Sequence, residues 1–210
     1  MGKGQLFTHE YDAINQLLGI GIPKSVSFLG GVYYWKDNWD MPDVLTSVFD
    51  YPEKELTMTY SATLGNSFSR GRRIMGHDAT MELGRSMKVT ADKNSTQFAN
   101  QLRNGTFGTS DPILTISPEY EIDAVSGATS TENYYASRGL TDTVINGLQI
   151  DTTHLHIKEW IDCIRYGGKP SDNIDKAFEE GITVLMAHKS YVEQRRVEWD
   201  SVQRSSNLFC

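Results

Sequence analysis

Only two cysteines, Cys163 and Cys210, occur among the 210 residues, so no disulfide framework staples this chain. Cys163 falls in an apolar helical stretch and reads as a small core residue rather than a nucleophile. Cations are scarce too. Lys and Arg number 20 against 27 Asp and Glu, for a net charge of −7. A nucleic-acid partner, which needs clustered basic residues, is therefore not expected. No apolar run approaches the ~20 residues that span a bilayer, so no membrane partner is expected either. A basic start, apolar stretch and small-residue cleavage site are also lacking. That points to a cytoplasmic protein, with export of a longer form left open. His154 and His156, two apart, do not share a helix face, so no shared metal is expected.

What is present is enough apolar residue, 39%, for one sizeable core. The organising stretch is Gly2-Lys3-Gly4-Gln5-Leu6-Phe7-Thr8-His9-Glu10-Tyr11-Asp12. Thr8 has the chemistry of an N-cap, and Ala13, Ile14, Leu17 and Leu18 follow at helical spacing as the buried face. Gly19, Gly21 and Pro23 end that helix. On this reading His9 lies in the first turn, where the positive end of the helix dipole favours a neutral ring. Such a ring can polarise or deprotonate a hydroxyl. Asp12, three residues on, shares roughly the same side.

Further along, residues 24–35 read as a strand. Its Gly30-Gly31 pair marks a bulge or a close backbone approach. Val44 to Tyr51 and Glu55 to Ala62 form the clearest hairpin, turned by Pro52-Glu53-Lys54. Short strands are expected at 73–76, 79–83, 86–91 and 112–117, with a short helix at 95–102. Residues 92–140 are otherwise irregular and insertion-like, with a long polar stretch at 126–137. Asp151-Thr152-Thr153 caps a helix to about Tyr166, striped by Ile157, Trp160, Ile161 and Ile164. A second helix covers 173–195, striped by Ile174, Phe178, Ile182, Leu185 and Met186, and Val197 to Trp199 is a last strand. Segregated helices and strands favour an α+β fold over a wound parallel sheet.

The opening G-x-G-x-x-x-T-H-E-Y-D resembles the start of the C-terminal domain of the Gfo/Idh/MocA oxidoreductases. The likeness continues through Gly30 to Asp37, Met41-Pro42-Asp43, Gly76 to Glu82, His156 to Arg165 and Ser190-Tyr191. It implies one domain over residues 1–210: an open, mostly antiparallel sheet with helices on one face, the other face being free to pair subunits into a homo-oligomer. It also implies an NAD or NADP cofactor in the intact enzyme, held by a Rossmann domain. The strand, G-x-G-x-x-G turn and distant acidic residue of such a domain do not occur in this sequence. The family's Glu-Lys-Pro lysine is missing as well. The chain is therefore expected to be one half of a two-part enzyme, with no cofactor bound to it alone and no activity alone.

By that resemblance His9 would remove a hydroxyl proton from a sugar-like substrate, with Asp12 orienting the ring or the substrate. Many members carry Asp four residues before the His. Here that position is Gln5, which can hydrogen-bond a sugar hydroxyl but cannot be a base. Lys36, Asp37 and Asp43 surround a strand exit and could meet polar substrate groups, although a solvated loop is the simpler expectation. His156 falls on a family motif and is a candidate site-lining residue. Arg70, Arg72 and Arg73 could meet an anionic sugar or lie in a solvated loop. His77 is expected to be a turn residue. Tyr33, Tyr34, Trp35, Trp39, Tyr134 and Tyr135 could stack on a sugar ring, but packing in a core or interface is expected. The function expected is thus the substrate-binding and oligomerising domain of an NAD(P)-dependent sugar or cyclitol dehydrogenase. The alternatives are a redox-assisted glycosidase and a binding module without chemistry.

Overall fold

The computed structural model describes residues 2–36, 41–67, 71–84, 86–108, 110–116 and 142–200, with backbone alone at 2–6, 142–144 and 149. The element order is α1 (Gly2–Leu18), β1 (Ser25–Gly31), β2 (Val44–Tyr51), a 3₁₀ turn (Pro52–Lys54), β3 (Leu56–Thr63), β4 (Arg72–Met75), β5 (Ala79–Leu83), β6 (Met87–Ala91), α2 (Ala99–Arg103), β7 (Pro112–Ile116), β8 (Asp142–Ile145), β9 (Leu148–Asp151), α3 (Thr152–Tyr166), α4 (Ile174–Glu193) and β10 (Val197–Glu198). Every strand pairing is antiparallel, and the fold is α+β as expected. The strands fall into two open four-stranded sheets and one hairpin, rather than a single sheet. The chain divides into two compact units, residues 1–68 with 169–210, and residues 69–168.

The first unit holds the main core. Its sheet runs β10-β1-β2-β3. Strand alternation sends Val26, Phe49 and Tyr51 to one face, where Phe7 and Tyr11 of α1 and Ile182, Met186 and Ala187 of α4 meet them. The other face carries Ser27, Leu29, Thr46, Val48, Thr57, Thr59 and Ser61, and Leu29 is 74% exposed there. Gly30 faces Leu45 in β2, and a Cβ on it would stand 2.5 Å from the Val44 carbonyl oxygen. The glycine therefore permits the close approach that its place in the strand suggested, without a bulge.

The first helix departs from expectation twice. It starts at Gly2, so Thr8 is not its N-cap. The buried face is also rotated: Phe7, Tyr11 and Asn15 are buried, with Ile14 packed beside them, while Leu17 is 64% exposed. Packing supplies the reason. The Phe7 ring stacks on Phe49 at 4.9 Å with a 7° interplanar angle and meets Tyr60 at 4.8 Å. Those contacts favour helix upstream of Thr8 despite two glycines, because tertiary burial outweighs local propensity. Asn15 is tolerated in the core because both ends of its amide are satisfied. Its Nδ2 donates to Glu179 Oε2 at 2.7 Å and its Oδ1 accepts from the Gly21 N–H at 2.8 Å. Tyr11 donates to the Gly21 carbonyl at 2.5 Å, and burial pushes its hydroxyl up to about 12.

The second helix of this unit, α4, is capped by Asn173, whose side chain accepts from the Asp175 N–H. Ile182 and Met186 are buried as the stripe implied, whereas Ile174, Phe178 and Leu185 are exposed. Its C-terminal end is tied to β1 by Ser190. That hydroxyl accepts from the Phe28 N–H at 2.9 Å and donates to the Arg195 carbonyl at 2.7 Å.

The second unit carries the sheet β4-β5-β6-β7 and the β8–β9 hairpin. That hairpin turns on Asn146-Gly147, both at positive φ, as type I′ chemistry requires. Helix α3 is capped by Asp151, which accepts from the N–H groups of Thr153 and His154. Of its apolar stripe, Ile157, Trp160 and Ile164 are exposed and Ile161 is half-buried. Helical spacing specifies an amphipathic helix but not the surface that covers its apolar side. The polar stretch 126–137 lies outside the described residues.

The rotated phase of α1 has a measurable consequence. Phe7→Ala should cost about 3–5 kcal/mol by denaturant unfolding, as for other buried Phe truncations. Leu17→Ala should stay within about 0.5 kcal/mol, as an exposed site does.

Candidate functional site

The locking of Phe7, Tyr11 and Asn15 into the core fixes what α1 presents outward. His9 is exposed, and Asp12, one turn on, is half-buried. Because the helix begins at Gly2, His9 stands about two turns inside it, beyond the first turn where the dipole acts. The field at the helix N-terminus therefore does not act on the His9 ring as its sequence position suggested. Both Asp12 carboxylate oxygens accept from Gln16 Nε2 at 2.9 Å, an i,i+4 contact that holds the carboxylate along the helix.

A residue that spacing did not reveal joins this face. Glu180 of α4 has its carboxyl raised to about 7, by burial first and then by the negative charges of Asp12 and Asp172. Its neighbour Glu179 accepts from Asn15 at 2.7 Å and from Lys176 Nζ at 3.0 Å. The Glu179-Glu180 pair was visible in the sequence, but only α1 packed on α4 brings one of them to Asp12.

Gln5 lies in α1, with its side chain outside the described residues. Asp37 is outside them altogether. Lys36 is exposed in the loop after β1, and His156 is exposed on α3 in the second unit. Arg73 pairs with Glu82 directly across the β4–β5 ladder at 2.8 Å, a surface ion pair rather than an anion cradle. His77 is in a turn, as expected, but the organising residue there is Asp78. Its carboxylate accepts from Ser95 Oγ at 2.6 Å, Thr96 N at 2.8 Å and Gln97 N at 3.0 Å. These bonds, the Gln97 N–H foremost, hold it down to about 2. Cys163 is half-buried rather than core. No group of three or more His, Cys, Asp or Glu able to hold a metal occurs among the described residues.

Asp43 is the largest surprise among the loop residues. It is 0% exposed, and it accepts from the backbone N–H groups of Tyr33 at 2.9 Å, Tyr34 at 2.7 Å and Trp35 at 2.7 Å. It shapes the loop from within and is not presented to a ligand.

Solved structures share this fold. An oxidoreductase from Agrobacterium radiobacter, determined with NAD+, L-tartaric acid and magnesium, matches with a TM-score of 0.55 and 16% identity over 92% of this chain and 47% of that one. The WlbA dehydrogenase from Bordetella pertussis, determined with NADH and UDP-GlcNAcA, matches with a TM-score of 0.52 and 12% identity over 93% of this chain and 46% of that one. An NAD-binding protein from Listeria innocua matches with a TM-score of 0.55 and 11% identity over 91% of this chain and 45% of that one. At such identities the likeness is one of fold. This chain spans about half the length of the structures it matches. No family model and no curated protein matches the sequence.

Glu180 gives the site a pH signature. A raised folded-state value means that the folded protein holds the proton more tightly. Its contribution to stability is present below pH 4.5, the ordinary value, and is lost as pH rises through about 7. Glu180→Gln should therefore raise Tm at pH 8 while leaving it little changed at pH 4, as followed by circular dichroism.

Proposed function

We propose that this chain is the substrate-binding half of an NAD(P)-dependent oxidoreductase of the Gfo/Idh/MocA type, acting on a sugar or cyclitol. One observation carries the reading: a buried aromatic face on α1 holds the opposite face, with His9 exposed beside Asp12, in a fixed outward position. A site on a rigid helix is what precise placement of a reacting hydroxyl needs. Support also comes from the fold, shared with about half of each of several oxidoreductases, two of them determined with NAD+ or NADH.

The cofactor itself does not fit these residues. Among the described elements no strand runs through a glycine-rich turn into a helix, the arrangement that cradles a dinucleotide pyrophosphate. In this reading NAD or NADP is held by a nucleotide-binding half of the enzyme. What this chain would do is bind and handle protons. His9 would accept the hydroxyl proton of the carbinol being oxidised, as a general base. Asp12 would orient the ring or accept a second hydroxyl, and Glu180, near half-protonated at neutral pH, can either donate or accept beside it. Gln5 and Lys36 would contribute hydrogen bonds to substrate hydroxyls. The bare Ser- and Thr-rich sheet face around Leu29 would pair two copies.

Two measurements test this. The 210-residue chain alone, given NAD+ or NADP+ and a panel of sugars and cyclitols, should show no rise in reduced-nicotinamide absorbance. Clear turnover would contradict the division of labour. With a nucleotide-binding half joined to it, His9→Ala should lower kcat by about 10²–10⁴-fold without moving Tm. An unchanged rate would make the chain a binding module without chemistry.

A further inference from the structure

The loop that leaves β1 is built unlike an ordinary solvated loop. Tyr33 is 65% exposed, Tyr34 66% and Trp35 49%. Three successive large aromatics at a surface are costly to leave in water and are normally covered. Yet this loop is rigidly held. The fully buried Asp43 carboxylate accepts from all three of their backbone N–H groups. The Asp43 N–H donates to the Gly31 carbonyl at 3.1 Å, and its own carbonyl accepts from Leu64 N at 2.7 Å. The rings are also placed against one another. Tyr34 and Trp35 meet edge to face at 5.0 Å and 83°. Tyr33 lies so close to Gly31 that a Cβ there would come within 2.8 Å of its ring. A side chain at Gly31 would push the Tyr33 ring aside from this position.

From this we infer that Tyr33, Tyr34 and Trp35 form a preorganised stacking platform for the apolar face of an uncharged sugar ring. Three features select that occupant. Aromatic faces carry negative quadrupole density and attract the polarised C–H groups that one face of a pyranose presents. Tyr hydroxyls and the indole N–H at the ring edges can hydrogen-bond the equatorial hydroxyls around that face. Among the described residues of this loop Lys36 is charged and exposed, while the Asp43 carboxylate is buried, so charge offers an anionic ligand a single exposed cation. Backbone order set in advance by Asp43 lowers the entropy lost when a ligand docks. The inference takes its ligand class from the function proposed above, but it does not depend on the role of His9.

The test uses the full chain with ¹⁵N-labelled tryptophan, and methyl β-glucopyranoside and cellobiose as probes. Trp35→Phe assigns the Trp35 indole resonance. Titration should move that resonance saturably with Kd in the millimolar range, cellobiose binding the tighter. Tyr34→Ala, at an exposed position, should weaken binding about tenfold, the scale of one lost aromatic contact. Leu17→Ala, at an exposed position of α1, should leave the titration unchanged. No movement of the Trp35 signal, or movement that survives Tyr34→Ala at full affinity, overturns the platform. So does a Trp35 signal that shifts with protein concentration and not with sugar, since the aromatics would then be covered by a second copy. A sugar that perturbs the His9 ring but not Trp35 overturns the platform while leaving the proposed substrate-binding role of α1 standing.

Discussion

The stack of Phe7 on Phe49 sets the geometry on which the rest of the first unit depends. An α-helix turns about 100° per residue. Fixing one side chain of α1 against the sheet therefore fixes the direction of all the others. With Phe7 facing the sheet, Tyr11 and Asn15 fall on the same side, as their burial shows. His9 falls about 200° round the helix and Asp12 about 140°, on the outward side. Had Ala13, Ile14, Leu17 and Leu18 formed the buried stripe, the helix would have been rolled and His9 would face elsewhere. One aromatic contact thus determines whether the imidazole is available to a ligand.

A rolled helix must also be stopped from sliding, and apolar packing alone is tolerant of shifts. Here two buried polar residues supply the register. Asn15 bridges Glu179 of α4 and the Gly21 N–H, so α1 is pinned to α4 at one height. Ser190 bridges the Phe28 N–H and the Arg195 carbonyl, so α4 is pinned to β1. Each has its polar atoms paired, which is the condition for burying them without a large penalty. The consequence reaches the site: the Asn15 pin brings α4 to the height at which Glu180 senses Asp12.

The sequence was most legible where local chemistry decides structure. Pro52-Glu53-Lys54 between alternating Thr and apolar residues placed the β2–β3 hairpin almost to the residue. Asp151 announced α3 through its capping side chain. The Asn146-Gly147 turn carries an equally strong local signal, at a hairpin that the sequence reading did not include. What could not be read was anything requiring a partner surface. The roll of α1, the exposure of Ile157, Trp160 and Ile164, and the pairing of Asp12 with Glu180 all depend on which element meets which. Periodicity gives a face, not its neighbour. Of the candidate site, the sequence offers His9 and Asp12 through their likeness to a family motif, whereas the influence of Asp12 on Glu180 depends on tertiary packing.

Asp43 shows how the same constraint operates in a loop. A carboxylate removed from water is expensive unless its oxygens are fully engaged, and a loop would ordinarily place it in solvent. Here three backbone donors within one turn of chain surround it. Breaking any of them leaves a buried charge short of a partner, so the three residues hold their conformation together rather than singly. The side chains of those residues are thereby freed from any structural task. This is the arrangement of α1 again, in a different element: a buried anchor on one side, and outward groups whose positions follow from it. Tyr33, Tyr34 and Trp35 take no part in the buried core cluster. Like His9, their rings stand exposed on a backbone whose position is fixed from its buried side.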